Sequence, residues 1–326
     1  MQLPETLRRA IDELASSHDV RTLARASREL TASYQSGSLA SPAMDSAEHR
    51  AAYLLVRMPA TYAACVHALR QLSGVCPDLS PSSLLDLGAG PGTAAWAASE
   101  VFPSLATVSA FERDPSLIDM GRRLMAASQN SALSSARWTQ GDLRTQLPGD
   151  DFDLVVLSYA LGELPPGARA ALHSAAWQRT RQAFLIVEPG TRTGASTIVD
   201  VRRWFLDNGA FLAAPCPHDE TCPMAAGGDW CHFAERIERG SLHRRLKGGE
   251  LGYEDEKFSY VAAVRNPVAR ASARIVRHPL HRPGHLQFTL CTAAGLQSQT
   301  VTKSQKDRYK LAKKSSWGDP WKAKSE

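Results

Sequence analysis

Two carboxylates at the ends of successive apolar runs, and a third beside a glycine-rich turn, could share one ligand. Asp86-Leu-Gly88-Ala-Gly90-Pro-Gly92-Thr93 closes a short apolar run and opens a stretch that reads as a helix. Glycines let the backbone turn tightly there and let a ligand approach with no Cβ in the way. The helix start adds the positive end of a dipole. The Gly-x-Gly-x-Gly spacing differs from the Gly-x-Gly-x-x-Gly fingerprint that seats a pyrophosphate. An acid two residues before the first glycine suits a ligand with a cationic amino group instead. Glu112 ends the next run, where a carboxylate can accept from both ribose hydroxyls; Asp142 follows the third, where it could meet an adenine amino group. A turn that serves only helix–strand packing and a nicotinamide site are the competing readings.

A second chemistry rests on thiols. Cys216, Cys222 and Cys231 fall within sixteen residues, and Cys291 stands sixty residues further on. Pro215, Pro217, Pro223, Gly227 and Gly228 give a looping backbone that can fold the thiols inward. Thiolates select zinc or iron–sulfur clusters, and four make a closed site. The missing Cys-x2-Cys knuckle weighs against common zinc ribbons. His218 and His232 are spare ligands for zinc, and unliganded cysteines are the alternative. Cys65 and Cys76 lie in helical sequence and read as buried free thiols.

The elements that must position these groups alternate. Ser83–Leu87, then residues 108–112, a weak run at 136–139, Phe152–Ser158 and residues 184–188 read as strands. Helices are expected between them over Thr93–Val101 and over residues 116–127, 168–180 and 195–208. Such alternation predicts a parallel sheet covered on both faces. Residues 1–75 carry helical spacing, with a polar loop over 35–42 and a boundary or kink at Pro59. Residues 257–264, 273–276, 286–291 and 299–302 read as further strands.

The Asp-x-Gly-x-Gly-x-Gly element, with Glu112 and Asp142 in order, resembles the binding site of class I S-adenosylmethionine-dependent methyltransferases. That resemblance implies an α/β, Rossmann-like, doubly wound core at residues 79–210 binding S-adenosyl-L-methionine through Asp86, Gly88, Gly90, Gly92, Glu112 and Asp142. A helical region (1–78) precedes it; a Cys-rich, β-containing region (211–302) and a basic tail (303–326) follow. No catalytic residue emerges. Ser158-Tyr159-Ala160-Leu161 lacks the Asn/Asp-Pro-Pro-aromatic loop of many amino-group methyltransferases and the Pro-Cys nucleophile of pyrimidine C5 enzymes. Glu163 and Glu188 could serve as a base, or equally as a helix cap or an arginine partner.

Longer strings resemble one family. Cys216-Pro-His-Asp-Glu-Thr-Cys222-Pro, Asp229-Trp-Cys231-His-Phe233, Tyr253-Glu-Asp-Glu-Lys257-Phe-Ser-Tyr260, Arg282-Pro-Gly-His285 and Ser315-Ser-Trp-Gly-Asp319 are similar to the methyltransferase-like protein seventeen family. Its members assemble the mitochondrial small ribosomal subunit and have bacterial relatives. The resemblance implies a four-iron, four-sulfur (4Fe-4S) cluster on Cys216, Cys222, Cys231 and Cys291, with zinc as the alternative. It implies small-subunit rRNA in the assembling subunit as partner, either as the substrate of methyl transfer or as the ligand of a non-catalytic assembly factor. The short N-terminus, without a targeting segment, points to a bacterial cytoplasmic member.

Charge fits an RNA partner. The chain has 326 residues and a formal charge of +5, but residues 265–326 carry thirteen cations against three acids, +10, leaving −5 on the rest. Lysines in the tail interleave with Tyr309, Trp317 and Trp321, which predicts stacking surfaces beside charges, partly disordered in isolation. Arg236, Arg239, Arg244, Arg245 and Lys247 could extend that surface, and a merely solvated charged face is the alternative. No apolar run approaches the roughly 18 residues that span a bilayer, six cysteines are too few for a disulfide scaffold, and nothing indicates an oligomer.

Overall fold

A computed structural model describes residues 1–35, 44, 46–145, 147–248 and 251–321. The expected loop over 35–42 beyond Gln35, and Lys322 and Lys324 of the basic tail, lie outside the described residues.

Helices α1 (Glu5–Ser16), α2 (Val20–Gln35), α3 (Ala47–Val56) and α4 (Met58–Val75) come first. Pro59 marks a boundary rather than a kink: α3 ends at Val56 and α4 starts at Met58, where a proline in the first turn loses no hydrogen bond. Ser46 caps α3 by accepting from the His49 N–H. The alternation then runs β1 (Ser83–Leu87), α5 (Thr93–Val101), β2 (Thr107–Glu112), α6 (Pro115–Ala126), a short α7 (Ser131–Ser134) and β3 (Arg137–Gln140). It continues through β4 (Phe152–Ser158), α8 (Pro166–Gln178), β5 (Thr180–Pro189), α9 (Arg192–Asp207) and β6 (Phe211–Ala214). A short α10 (Pro223–Ala226), β7 (Phe233–Glu238), α11 (Ser241–Lys247) and β8 (Tyr253–Val264) complete this stretch.

The strand order is β3-β2-β1-β4-β5-β8-β6, with β7 beside β8. Strand β1 pairs parallel with β2 and with β4, β2 pairs parallel with β3, and β6 pairs antiparallel with β8. Order reverses at β1, the topological switch point where open α/β sheets receive ligands. Residues 84–87 of β1 and 152–157 of β4 are buried throughout, as strands covered on both faces must be. Helix α5 meets the sheet through Ala94, Ala95, Ala97 and Ala98, all nearly inaccessible, so small side chains bring its start close to the β1 end.

The chain divides into two compact units, each discontinuous in sequence. One comprises residues 1–70, 79–185 and 235–256; the other comprises 71–78, 186–234 and the described part of 257–326. The second holds a five-stranded sheet of β9 (Ala273–Ile275), β10 (Leu280–Arg282), β11 (His285–Thr292), β12 (Gly295–Thr302) and β13 (Pro320–Trp321), in the order β10-β11-β9-β13 with β12 on β11.

Within the intact chain the described part of the basic tail, through Trp321, is ordered, and the stacking surfaces expected there are corrected. Residues 303–321 form a 3-10 turn, helix α12 (Lys306–Ala312) and β13, which pairs with β9. Trp321 is 5% exposed and packs on Phe288 with ring centroids 4.6 Å apart. Trp317 is 8% exposed, and Tyr309 packs on the same core as Trp321. Buried indoles cannot offer the stacking faces expected beside the lysines. Their apolar area outweighs the polarity of the sequence around them.

Candidate functional site

In the first unit, backbone bonds draw three strand ends together. The Gly88 and Ala89 N–H groups donate to the Phe111 carbonyl at 2.9 and 3.1 Å, and the Gly141 N–H donates to the Glu112 carbonyl at 2.9 Å. Gly88, Gly90 and Gly92 all have left-handed φ, +64°, +54° and +86°. A Cβ on Gly88 would meet the Ala160 Cβ at 2.7 Å and one on Gly92 would meet Met125, whereas one on Gly90 would meet nothing within 4 Å. Open space therefore lies in front of Gly90.

Asp86 is fully buried. Its Oδ2 accepts from the Ala95 N–H at 3.1 Å, while Oδ1 has no partner. Burial pushes its carboxyl up to about 7, with the nearby Glu112 charge adding to the rise against the Ala95 hydrogen bond. Glu112 accepts from Gly90 N–H at 2.8 Å through Oε2, and from Arg113 and Asp114 N–H at 2.8 and 2.9 Å through Oε1. Oε1 thus takes two N–H groups and Oε2 one, which leaves lone-pair capacity on Oε2. Asp142 lies at the same end, but Arg144 grips its carboxylate, with Nε 3.0 Å from Oδ1. That bond, with the Arg144 N–H, holds the Asp142 carboxyl down at about 2.

After β4 stands a group that spacing did not flag. Tyr159 takes φ +56°, strained for a bulky residue. Its hydroxyl donates to Glu256 Oε1 at 3.0 Å, and Arg57 pairs with the same carboxylate at 3.3 Å. A tyrosine three residues after a buried valine gives no sign of such a partner 97 residues away; only the structure shows it.

In the second unit, Cys216, Cys222, Cys231 and Cys291 line one cavity with His218, Met224, Val276, Arg202 and Arg274. Among the described residues no three Cys, His, Asp or Glu side chains converge as a metal-holding group, and all six cysteines are free thiols. Burial pushes the Cys231 thiol well up, with the other three thiols adding to it, and takes Cys291 to about 12. The loop is pinned on both sides of Cys231: Ser259 donates to its carbonyl at 2.8 Å, and the Trp230 Nε1–H donates to the Gly190 carbonyl at 2.9 Å. His218 Nε2 lies 3.3 Å from Cys291 Sγ, while His232 stacks on Trp230 and is not among the cavity residues. Arg202 was missed. Its signal is a cation at a position where Ile198 and Phe205 mark the buried stripe of α9.

The sheet order and the glycine turn at its switch point define a class I methyltransferase fold. Residues 47–322 match the family described as mitochondrial small ribosomal subunit Rsm22, and the chain belongs to that family. The human mitochondrial ribosome assembly protein METTL17 is 28% identical over 287 residues, covering 82% of this chain and 61% of that protein. The mitochondrial Rsm22-cox11 tandem protein 2 of Schizosaccharomyces pombe is 27% identical over 321 residues, covering 82% of this chain and 42% of that protein. This chain thus spans only part of the length of either relative. Among solved structures, magnesium protoporphyrin IX methyltransferase (ChlM) from Synechocystis with bound SAM is 13% identical with a TM-score of 0.43, covering 64% of this chain and 80% of that one. That likeness is too distant to carry function.

The relatives overturn the expected bacterial cytoplasmic location, because both are named as mitochondrial proteins. The expectation leaned on the short N-terminus, and a chain that spans part of its relatives carries no such information there. Among the described residues no helix is long and apolar enough to cross a membrane.

Proposed function

We propose that this chain binds S-adenosylmethionine at the turn after β1, binds small-subunit rRNA during ribosome assembly, and transfers the donor's methyl group to that RNA. The observation that carries the donor site is the unpartnered Oδ1 of buried Asp86 beside three left-handed glycines. An orphaned buried carboxylate oxygen is costly, and a cationic amino group offsets it. Gly88 and Gly92 would shape the turn and Gly90 would let the donor lie against the backbone; Glu112 Oε2 would accept from a ribose hydroxyl, and Asp142 with Arg144 would border the adenine. The bound donor supplies a methyl group activated on a sulfonium. Membership of a family named for the mitochondrial small ribosomal subunit, and a relative named as a ribosome assembly protein, support the RNA partner. Four cysteines lining one cavity support the 4Fe-4S cluster, with zinc as the other soft-donor option.

One observation favours a second reading, a non-catalytic assembly factor that keeps the donor pocket. At the end of β4 the Tyr159 hydroxyl is committed to Glu256, itself held by Arg57. A single-turnover assay with methyl-labelled donor on immature small subunits, run beside calorimetry of donor binding, separates the two. Label in the RNA is the expected result. Donor binding without label leaves the assembly factor, and no donor binding at all removes both.

A further inference from the structure

The thiol cavity is lined by two buried cations that no carboxylate answers among the described residues. Arg202 on α9 is 6% exposed and Arg274 on β9 is 4% exposed. Arg202 Nε–H donates to Cys216 Sγ at 3.2 Å, and its Nη2 donates to the carbonyls of His218 and Glu220 at 2.9 and 2.7 Å. Arg274 Nη1 donates to Gln71 Oε1 and the Gly318 carbonyl, each at 2.6 Å, and its buried Nε–H has no partner. All of these acceptors are uncharged. The contrast is local: Arg270 pairs with Asp219, and Arg277 with Asp229. Among the described residues neither Arg202 nor Arg274 makes an ion pair.

Guanidinium stays protonated in proteins, and a buried charge without an opposite charge is strongly unfavourable. Neutral acceptors take several of these N–H groups but do not cancel the charge, and the Arg274 Nε–H is left unanswered. The cavity's own answer is its four sulfurs. Four thiolates around a divalent metal, or around a 4Fe-4S core of charge +2, carry a net charge of −2 by formal count, and two guanidiniums carry +2. Sheet register puts one cation beside one ligand, since Arg274 on β9 stands directly opposite Cys291 on β11. Directly opposed residues in an antiparallel pair share a face.

We infer that Arg202 and Arg274 are the built-in counter-charges of a tetrathiolate centre of net charge −2, with Arg202 also giving an N–H···S bond to the Cys216 ligand. This rests on the thiol-centre reading above and assigns it two positioning residues. Such outer partners tune a metal site by orienting its ligands and setting the charge it tolerates.

The test uses the full chain, freed of metal and kept without oxygen, titrated with cobalt(II) alone. Thiolate-to-cobalt absorption reports the coordination. Arg202→Gln and Arg274→Gln are expected to weaken cobalt binding tenfold or more. Arg202→Lys, which keeps the charge, stays within about threefold of wild type, and Arg203→Gln, an exposed cation on the same helix, changes nothing. On iron-reconstituted protein, losing a cation disfavours the more negative reduced centre. Its midpoint falls, a tenfold change in the oxidised-to-reduced ratio corresponding to about 59 mV for one electron. Folded glutamine variants that bind cobalt as Arg203→Gln does overturn the inference while the thiol centre stands. Wild-type protein without thiolate-to-cobalt absorption removes the centre and the inference together. Should Arg202→Gln fail to fold, Arg202→Lys and Arg274→Gln decide: equal losses in both show that charge is not the cause.

Discussion

Asp86 changes charge near neutral pH because burial raises its carboxyl to about 7. Its folded-state value lies above the ordinary 3.8, so the native state binds the extra proton between those limits. Stability contributed by this residue is therefore highest below that window and falls as pH rises through it. On the proposed donor site binding runs the other way, since a cationic amino group would need the ionised form. The donor's dissociation constant is expected to fall by up to about tenfold per pH unit on rising toward 7 and to level off above it. Asp86→Asn removes that slope and raises the melting temperature at pH 8 more than at pH 5. Calorimetry and melting curves at the two pH values check both, and a wild-type affinity independent of pH would show that Asp86 does not meet the charge. Asp142, held at about 2 by Arg144, contributes no slope in this range.

On the proposed donor site, the turn between β1 and α5 would separate structural from ligand-facing glycines. Gly88→Ala forces left-handed backbone and a 2.7 Å approach to the Ala160 Cβ, so a loss of about 1–3 kcal/mol is expected with impaired donor binding. Gly90→Ala meets nothing within 4 Å; it costs only about 1–2 kcal/mol for its conformation, yet fills space the donor would use. Denaturant unfolding beside donor affinity shows whether the two effects divide this way. This turn, β1, β2, β4 and α5 were legible in the sequence because local rules dominate there: buried strands read as unbroken apolar runs, and a glycine spacing repeats within eight residues. Strands β6, β7, β10 and much of β12, and helix α11, were not. Phe211 of β6 finds its partner at Val264, and β12 shows Gln297, Ser298 and Thr300 to solvent, so pairing far along the chain, not local composition, forms them. Arg202 escaped for a similar reason, since the α9 pattern shows a cation on the apolar stripe but not the thiol it meets.

At the scale of the whole chain, the basic end is two things at once. Lys303, Lys306, Lys310, Lys313 and Lys314 are exposed, while Trp317 and Trp321 belong to a core. Removing the last segment would therefore confound charge with stability. Changing those five lysines to glutamine is expected to lower the slope of log affinity for RNA against log salt by about 0.7–0.9 for each phosphate no longer neutralised, with little change in melting. Trp321→Ala is expected to destabilise the second unit by about 3–5 kcal/mol. An unchanged salt slope in the lysine variant would reduce those charges to a solvated face.

The two units are also interleaved along the chain: the first needs residues 235–256 and the second needs 257 onward. During synthesis this sets an order of events. Cys216, Cys222 and Cys231 emerge while the first unit still lacks β8, and Cys291 follows sixty residues later. At roughly 5–20 residues per second that interval lasts about 3–12 s. For that time the nascent polypeptide carries three of the cavity's four thiols without the fourth, and without the Arg274 strand that lies across from it. The first unit therefore cannot be completed before residue 256 is translated, nor the four-cysteine cavity before Cys291.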